Sequence, residues 1–311
     1  MSERTAAARD RAIGCLVGLA IGDAVGATVE FRPRGSFAPL TDMVGGGAFR
    51  LAPGQWTDDT AMALCLAESL LHDAALDPYD LMGRFERWVG EGVNSSTGRC
   101  FGIGRITLAA IGRWRATRRP FAGDPSAKAA SNGSVMRLAP VAVRWWHDPA
   151  KAEEVARRQS LTTHAAAEAV DGCALLARVL TAAIVTGDPG TALTPPADPA
   201  WSPALQAIAA GRWRGTSEDA IESTGYVVHT LEAALWAVGG ATDFRDAILR
   251  AVNLGHDADT VGAVAGQIAG ALFGRRGIPV AWVDTLHAAH RIEALADDLL
   301  ADAATVPRSG G

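Results

Sequence analysis

Two short stretches hold residue types that do chemistry at close spacing: Thr57-Asp58-Asp59-Thr60 and Asp257-Ala258-Asp259-Thr260. Each runs straight into an apolar helical segment, AMALCLAESLL after the first and VGAVAGQIAGALFG after the second. Either alone reads as an N-cap, because Asp and Thr side chains accept hydrogen bonds from free backbone N–H groups at the positive end of a helix. A cap needs one acceptor, however, and each stretch supplies two carboxylates as well as hydroxyl oxygen. The helices behind them are apolar enough to be buried, so four carboxylates would be withdrawn from water, which is very costly without partners. Divalent cations resolve the conflict, since carboxylate and threonine oxygens are hard donors that suit Mg2+ or Mn2+. No Cys/His cluster competes: Cys15, Cys65, Cys100 and Cys173 are far apart and form no CxxC, which also excludes a zinc ribbon or a disulfide framework.

A third acid points the same way. Glu30 ends the glycine-rich stretch GDAVGATVEF, and Asp23 lies seven residues earlier, two helical turns away on the same side. Either acid could instead pair with one of the many arginines. The loop Asn132-Gly133-Ser134-Val135-Met136-Arg137 enters an apolar segment, and its backbone N–H groups and the Ser134 hydroxyl could hold a phosphate at a helix start. Asn-Gly is equally a common turn. Ser134 has no base in sequence that would make it a nucleophile. His164, after Thr162-Thr163, is as readily a packing residue as a ligand contact, and Trp56 beside the first acidic stretch could wall a cleft.

The elements that must position these residues are helices. Apolar residues recur at helical spacing over roughly 8–27, 59–72, 79–90, 105–118, 150–161, 165–186, 217–238, 243–252, 259–273 and 283–302, while period-2 patterns are hard to find. Asp77-Pro78, Thr162-Thr163 and Thr242-Asp243 supply start signals. The fold class is all-α. Gly14, Gly18, Gly22 and Gly26 recur at every fourth position, which predicts a close helix–helix seam. The Pro-rich stretch 187–203 is expected to be a surface connection within one domain spanning 1–304, and residues 305–311 to be a flexible tail. A hydrophobic content of 49% predicts a real core, and a net charge of −5 without a basic run argues against a nucleic-acid binder. No unbroken apolar run reaches the roughly 18–20 residues of a membrane span, and no signal-peptide pattern is present. The expectation is a soluble, cytoplasmic monomer.

Taken together, GDAVGATVEF, WTDDTAMALCLAESL, NGSVMRLAP, TTH and LGHDADTVGAVAGQIAGALFG resemble, in order and spacing, the ADP-ribosylglycohydrolase family of the dinitrogenase reductase-activating type. The resemblance runs from about Gly14 to Gly274, and the TDDT and DADT motifs together are its most specific part. It implies a compact single-domain orthogonal bundle of helices with two Mg2+ (or Mn2+) ions at the bottom of a cleft. By position it makes Thr57, Asp58 and Asp59 ligands from one side and Asp257, Asp259 and Thr260 ligands from the other, with Asp259 bridging. Glu30 becomes an acid/base or metal-linked residue acting with Asp58 and Asp259, and Asn132, Gly133, Ser134, Met136, Arg137, His164, Phe101 and Gly102 line an ADP-ribose pocket. The implied reaction cleaves the ribosyl C1″ bond of an ADP-ribosylated protein side chain, a nucleic-acid adduct or a small ADP-ribose-containing molecule. Such cleavage passes through an oxocarbenium-like state and needs an activated water. Backbone amides rather than lysine would hold the diphosphate, which suits a chain whose only lysines are Lys128 and Lys151.

One departure matters. Many bacterial members carry Asp-Ile-Gly where this chain reads Gly102-Ile103-Gly104. The resemblance implies that the missing acid lies beside the leaving guanidinium, so Gly102→Asp is expected to raise activity on ADP-ribosyl-arginine without altering metal content. A catalytically weak or inactive ADP-ribose-binding protein is the alternative. His256-Asp257, with His72-Asp73 and His147-Asp148, also spells the doublet of His-Asp metal phosphohydrolases, a more remote reading.

Overall fold

The structure is a computed structural model that describes residues 3–303, so the tail expected at 305–311 lies outside the described residues. Helices account for the fold, with no strand among the described residues beyond isolated bridges. In chain order they are α1 (Glu3–Gly26), α2 (Asp58–His72), α3 (Pro78–Glu91), α4 (Arg105–Thr117), α5 (Ala139–Trp145), α6 (Pro149–Leu161), α7 (Ala167–Thr186), α8 (Pro189–Ala192), α9 (Pro203–Ala209), α10 (Val227–Gly239), α11 (Phe244–Val252), α12 (Ala258–Phe273), α13 (Val280–Thr285) and α14 (Ala289–Ala303).

Several boundaries follow from local chemistry. Asp77 accepts from Tyr79 N ahead of Pro78, and Asp243 accepts from Asp246 N, so α3 and α11 start at the expected caps. Three expectations are corrected. Thr162 and Thr163 do not start α7; they close the last turn of α6, and α7 begins only at Ala167 with no side-chain cap. The segment expected over 217–238 is helical only from Val227, because a short 3-10 turn (Glu218–Ala220) and a loop precede it. The last segment breaks at Leu286–Ala288, where Ala288 adopts φ 49°.

The glycine repeat in α1 meets a second one in α12. A Cβ added at Gly14, Gly18 or Gly22 would lie 2.4, 2.2 or 1.9 Å from the carbonyl oxygens of Gly270, Gly266 and Gly262. These spacings are far inside van der Waals contact, so any side chain forces the two antiparallel backbones apart. The seam ends where Gly26 meets Ala258 and Asp259, which brings the acids of α1 and α12 to the same end of the pair.

The rest of the bundle wraps this pair in one continuous core. The Pro-rich stretch is pinned to that core by Leu193 and Trp201, both buried, with the Arg178 guanidinium over the Trp201 ring. α7 is long and apolar enough to cross a membrane, but most of its residues are buried against α6, α10 and α12.

Candidate functional site

Neither acidic motif caps its own helix. Thr57 and Asp257 stand at the N-cap positions of α2 and α12 without side-chain capping bonds. α2 is capped instead by Asp23, on α1. Its Oδ1 accepts from Thr57 N (2.9 Å) and Thr57 Oγ1 (2.8 Å), and its Oδ2 from Thr60 N (3.0 Å) and Thr60 Oγ1 (2.6 Å). Four donors occupy that carboxylate, so Asp23 anchors the α2 terminus and adds its charge, rather than a free lone pair, to the acids beside it. Sequence spacing had offered Asp23 only as a companion of Glu30 or a partner of arginine; the pairing with α2 depends on the glycine seam and on how α2 crosses it. Asp23→Asn keeps the shape but replaces one acceptor oxygen by an NH2 group facing two donors. Such outer-shell changes cost roughly 10- to 100-fold in metal affinity. Mg2+ titration calorimetry on the folded variant should show a loss of that size, and unchanged affinity would make Asp23 a cap without bearing on the site.

Around this anchor the acids gather. Carboxylate oxygens of Asp23, Asp59 and Asp259 lie within 4.8 Å of one another, as do those of Glu30, Asp257 and Asp259, so Asp259 belongs to both groups. Asp59, Asp259 and Glu30 are buried, and among the described residues no arginine or lysine forms an ion pair with any of these acids. Glu30 Oε2 and Asp59 Oδ1 are buried without any hydrogen-bond partner. Thr57 Oγ1 also lies 3.1 Å from Asp59 Oδ2 and 3.3 Å from Asp259 Oδ2. Buried acids with orphaned oxygens and no organic counter-charge are the donor set a hard divalent cation requires, so the residues present fit such ions. Neither group contains histidine, which leaves His72, His147 and exposed His256 without the shared site a His-Asp centre needs. Asp58 belongs to neither trio; it lies in the cleft wall beside Gly102 and Gly104.

The electrostatics follow from this crowding. Burial, reinforced by neighbouring carboxylates, pushes Glu30 up to about 8 and Asp58 up to about 7. Asp59 is driven well above the usual carboxylate range by burial and then by the charges of Asp23 and Asp58, Asp259 likewise by burial and then by those of Glu30 and Asp59, and burial raises Asp257 and Asp23. Acids raised in the folded state stabilise it fully below their unfolded pKa of about 4, and that contribution disappears as pH rises through the folded value. In EDTA the melting temperature should therefore fall from about pH 4 to about pH 8, between the unfolded carboxylate value and the folded values of Asp58 and Glu30, and Mg2+ should restore most of it. A melting temperature flat with pH in EDTA would exclude the carboxylate crowding as a destabilising force.

Glu30, Asp58, Asp257 and Asp259 form one wall of a cleft of about 580 Å3, bounded also by Gly102, Gly104–Thr107, Ser131–Gly133, Met136, His164 and Thr224–Gly225. Asn132 Nδ2 donates to Thr230 Oγ1 and to Asp257 Oδ2, so it orients one of the acids. Gly133 is bare because a Cβ there would lie 2.7 Å from His164 Cε1. Burial and the Arg137 charge press His164 down to about 3, so it is neutral at physiological pH.

Three residues expected along the pocket are placed elsewhere. Arg137 is fully buried behind the cleft, its guanidinium over the Phe85 ring and bonded to Gln159 and Thr163. Ser134 is buried too, bonded to Ser160 and Cys173, because the loop turns into α5 with that side chain inward. Phe101 packs on Phe49 rather than lining the cleft. Trp56 is core, its Nε1 donating to Asn94 O.

Gly102 does face the acids: at φ 77°, a Cβ there would lie 2.6 Å from Asp58 Oδ1. An aspartate at 102 must therefore displace the Asp58 carboxylate. Ser131, Arg105 and the Thr224–Gly225 segment line the cleft without any sequence signal pointing to them.

Comparison with known proteins agrees with this geometry. The profile of the family described as ADP-ribosylglycohydrolase matches residues 4–308. ADP-ribosylarginine hydrolase Tri1 of Pseudomonas putida (strain GB-1) is 47% identical over 292 residues, covering 94% of this chain and 78% of that protein. ADP-ribosyl-[dinitrogen reductase] glycohydrolase of Rhodospirillum rubrum is 33% identical over 285 residues, covering 89% and 90%. A solved ADP-ribosylglycohydrolase-related protein complex superposes with a TM-score of 0.85 at 42% identity, over 95% of this chain and 99% of that one.

Proposed function

Since this chain belongs to the ADP-ribosylglycohydrolase family, we propose that it hydrolyses the C1″–N bond of ADP-ribosylated arginine on a protein partner, with two Mg2+ ions. The observation that carries the reading is the pair of carboxylate trios sharing Asp259, which with Glu30 and Asp257 lines a cleft large enough for an extended ligand. The 47% identity to an ADP-ribosylarginine hydrolase supports the choice of linkage.

Asp59, Asp257 and Asp259 would hold the ions, with Glu30, Thr57, Thr260 and Asp58 beside them. Bound there, hard divalent cations supply orientation of ribose hydroxyls and acidification of a water. The protein's own share is positional and protonic. Asp23 fixes the α2 terminus, and Asn132 fixes Asp257. The Glu30 carboxylate, which lines the cleft, accepts the proton of the attacking water as its oxygen joins C1″, and that proton is returned to the departing nitrogen. His164 is neutral and does not act as an acid.

The test is a panel of arginine-linked, serine-linked, nucleobase-linked and O-acetyl ADP-ribose substrates, each with Mg2+ and with EDTA. Release of ADP-ribose from the arginine substrate with Mg2+ alone is expected. Gly102 favours one second reading, an ADP-ribose-binding protein of low turnover, because no carboxylate stands at that position. Tight ADP-ribose binding without product over hours would select it.

A further inference from the structure

We propose that the mouth of the cleft docks the polypeptide that carries the ADP-ribosyl group, and that it selects segments with carboxylates beside the modified arginine. The surface is an aromatic ridge of Phe31, Phe49 and Phe101, flanked in sequence by Arg32, Arg50 and Arg99. This rests on reading the cleft as a site for arginine-linked ADP-ribose.

Three separate loops build the ridge. Phe31 follows Glu30 at the cleft and is 65% exposed. Its ring meets Phe49 edge-on at 6.2 Å, and Phe49 meets Phe101 at 5.0 Å. Phe101 precedes Gly102, which faces Asp58, so the ridge runs along the acidic side of the cleft. Phe31 adopts φ 65°, a conformation rare for a bulky aromatic residue. Backbone bonds to the turn before Asp257 hold it there: Phe31 N donates to His256 O and His256 N to Arg32 O, both at 2.7 Å. Phe49 and Arg50 sit at the tip of a turn closed by Gly46 N→Leu51 O and Leu51 N→Gly46 O. That turn lies close on the residues just past α1, since a Cβ at Gly47 would lie 2.2 Å from Ala27 O. An exposed ring on so fixed a backbone is a preformed apolar contact.

The charge around the ridge has one sign. Residues 31–51 and 92–105 contain five arginines and a single acid, Asp42, in a chain of net charge −5. Asp42 is occupied by the Trp282 indole N–H and by Met43 N. Arg34 is spent on the carbonyls of Leu254 and Ile221, and Arg105 lines the cleft itself. Arg32, Arg50 and Arg99 are exposed, and among the described residues none of them forms an ion pair with a carboxylate. Inside the cleft the sign reverses, with Glu30, Asp58, Asp257 and Asp259 on its wall. A segment that sends its arginine inward and leaves carboxylates at the rim complements both fields. The polypeptide has to pass here, because the departing nitrogen takes its proton from Glu30 and Phe31 is the next residue. Nucleic acid is the less favoured occupant, since the net charge of −5 repels a polyanion beyond the rim.

The test uses the full chain with Mg2+ and three substrates. One is ADP-ribosyl-arginine alone; the others are ADP-ribosylarginine peptides of equal length with glutamate or with lysine beside the modified residue. A kcat/KM about tenfold higher for the glutamate peptide is expected, with added salt eroding that advantage. Arg50→Glu combined with Arg99→Glu should remove or reverse the preference through KM, while kcat and turnover of ADP-ribosyl-arginine stay unchanged. Phe49→Ser should weaken both peptides several-fold and spare the small substrate. A parallel loss on the small substrate would make the ridge part of the ADP-ribose site and overturn the docking role. Equal rates for the two peptides, or a preference that survives the double substitution, would overturn the charge assignment. A single-stranded oligonucleotide that inhibits more strongly than the unmodified glutamate peptide would assign the rim to nucleic acid instead. If the unsubstituted protein turns over no arginine-linked substrate, the linkage reading fails and the docking role with it. That outcome is distinct from turnover of ADP-ribosyl-arginine that is blind to peptide charge, which overturns the docking role alone.

Discussion

Asp259→Asn is expected to abolish binding of both cations and to lower kcat by roughly a thousandfold or more, equivalent to about 4 kcal/mol of lost transition-state stabilisation. Asp259 is the one acid common to both carboxylate trios, so its charge serves two sites at once. Asparagine is the informative replacement because it keeps the size of the side chain and can still accept from Thr260 N, as Asp259 Oδ1 does at 2.8 Å. Misfolding can be separated from loss of function by a reversal of sign. In the absence of cations, Asp259 is crowded by Glu30, Asp59 and Asp257, so removing its charge should raise the melting temperature in EDTA at pH 8 while activity disappears. Mn2+ titration followed by paramagnetic resonance counts the ions directly. Retention of one ion at undiminished affinity would falsify the shared role, and a kcat within tenfold of the parent would remove Asp259 from the machinery altogether.

Glu30→Gln should lower kcat by about 100- to 10,000-fold, the usual contribution of a positioned acid/base, while ADP-ribose affinity changes far less. The distinction arises because Glu30 combines a buried, unpartnered Oε2 with a pKa lifted to about 8 by burial and the surrounding acids. Ligation of cations by the other acids lowers that value again, leaving a carboxylate able to take a proton from water. Glutamine preserves the size of the side chain and its contact with Asp259 but cannot take that proton. Steady-state kinetics on the arginine-linked substrate, beside calorimetry with ADP-ribose, resolves the two effects. Equal losses in both would make Glu30 a binding residue, and an unchanged kcat would exclude it from proton transfer.

Much of this was legible in residue types. Helical periodicity marked most of the long helices because each buries an apolar face, and that pattern survives without knowledge of neighbours. The TDDT and DADT stretches could be read as a cation site because four acids at the starts of apolar helices have no cheaper way to be buried. The fourfold glycine repeat in α1 announced close packing, although its partner repeat in α12 was not paired with it. Tertiary structure alone decided which side chains face the cleft. Asp23 caps a helix 34 residues away, and Arg137 and Ser134 turn inward although they share a loop with Asn132 and Gly133. Ser131, without any motif of its own, stands at the end of a hydrogen-bond chain assembled from the loop that enters α5 and the turn that follows α6. Periodicity specifies the face a helix buries, but the direction of a loop side chain and the partner of a buried carboxylate depend on distances between elements that the order of residues does not contain.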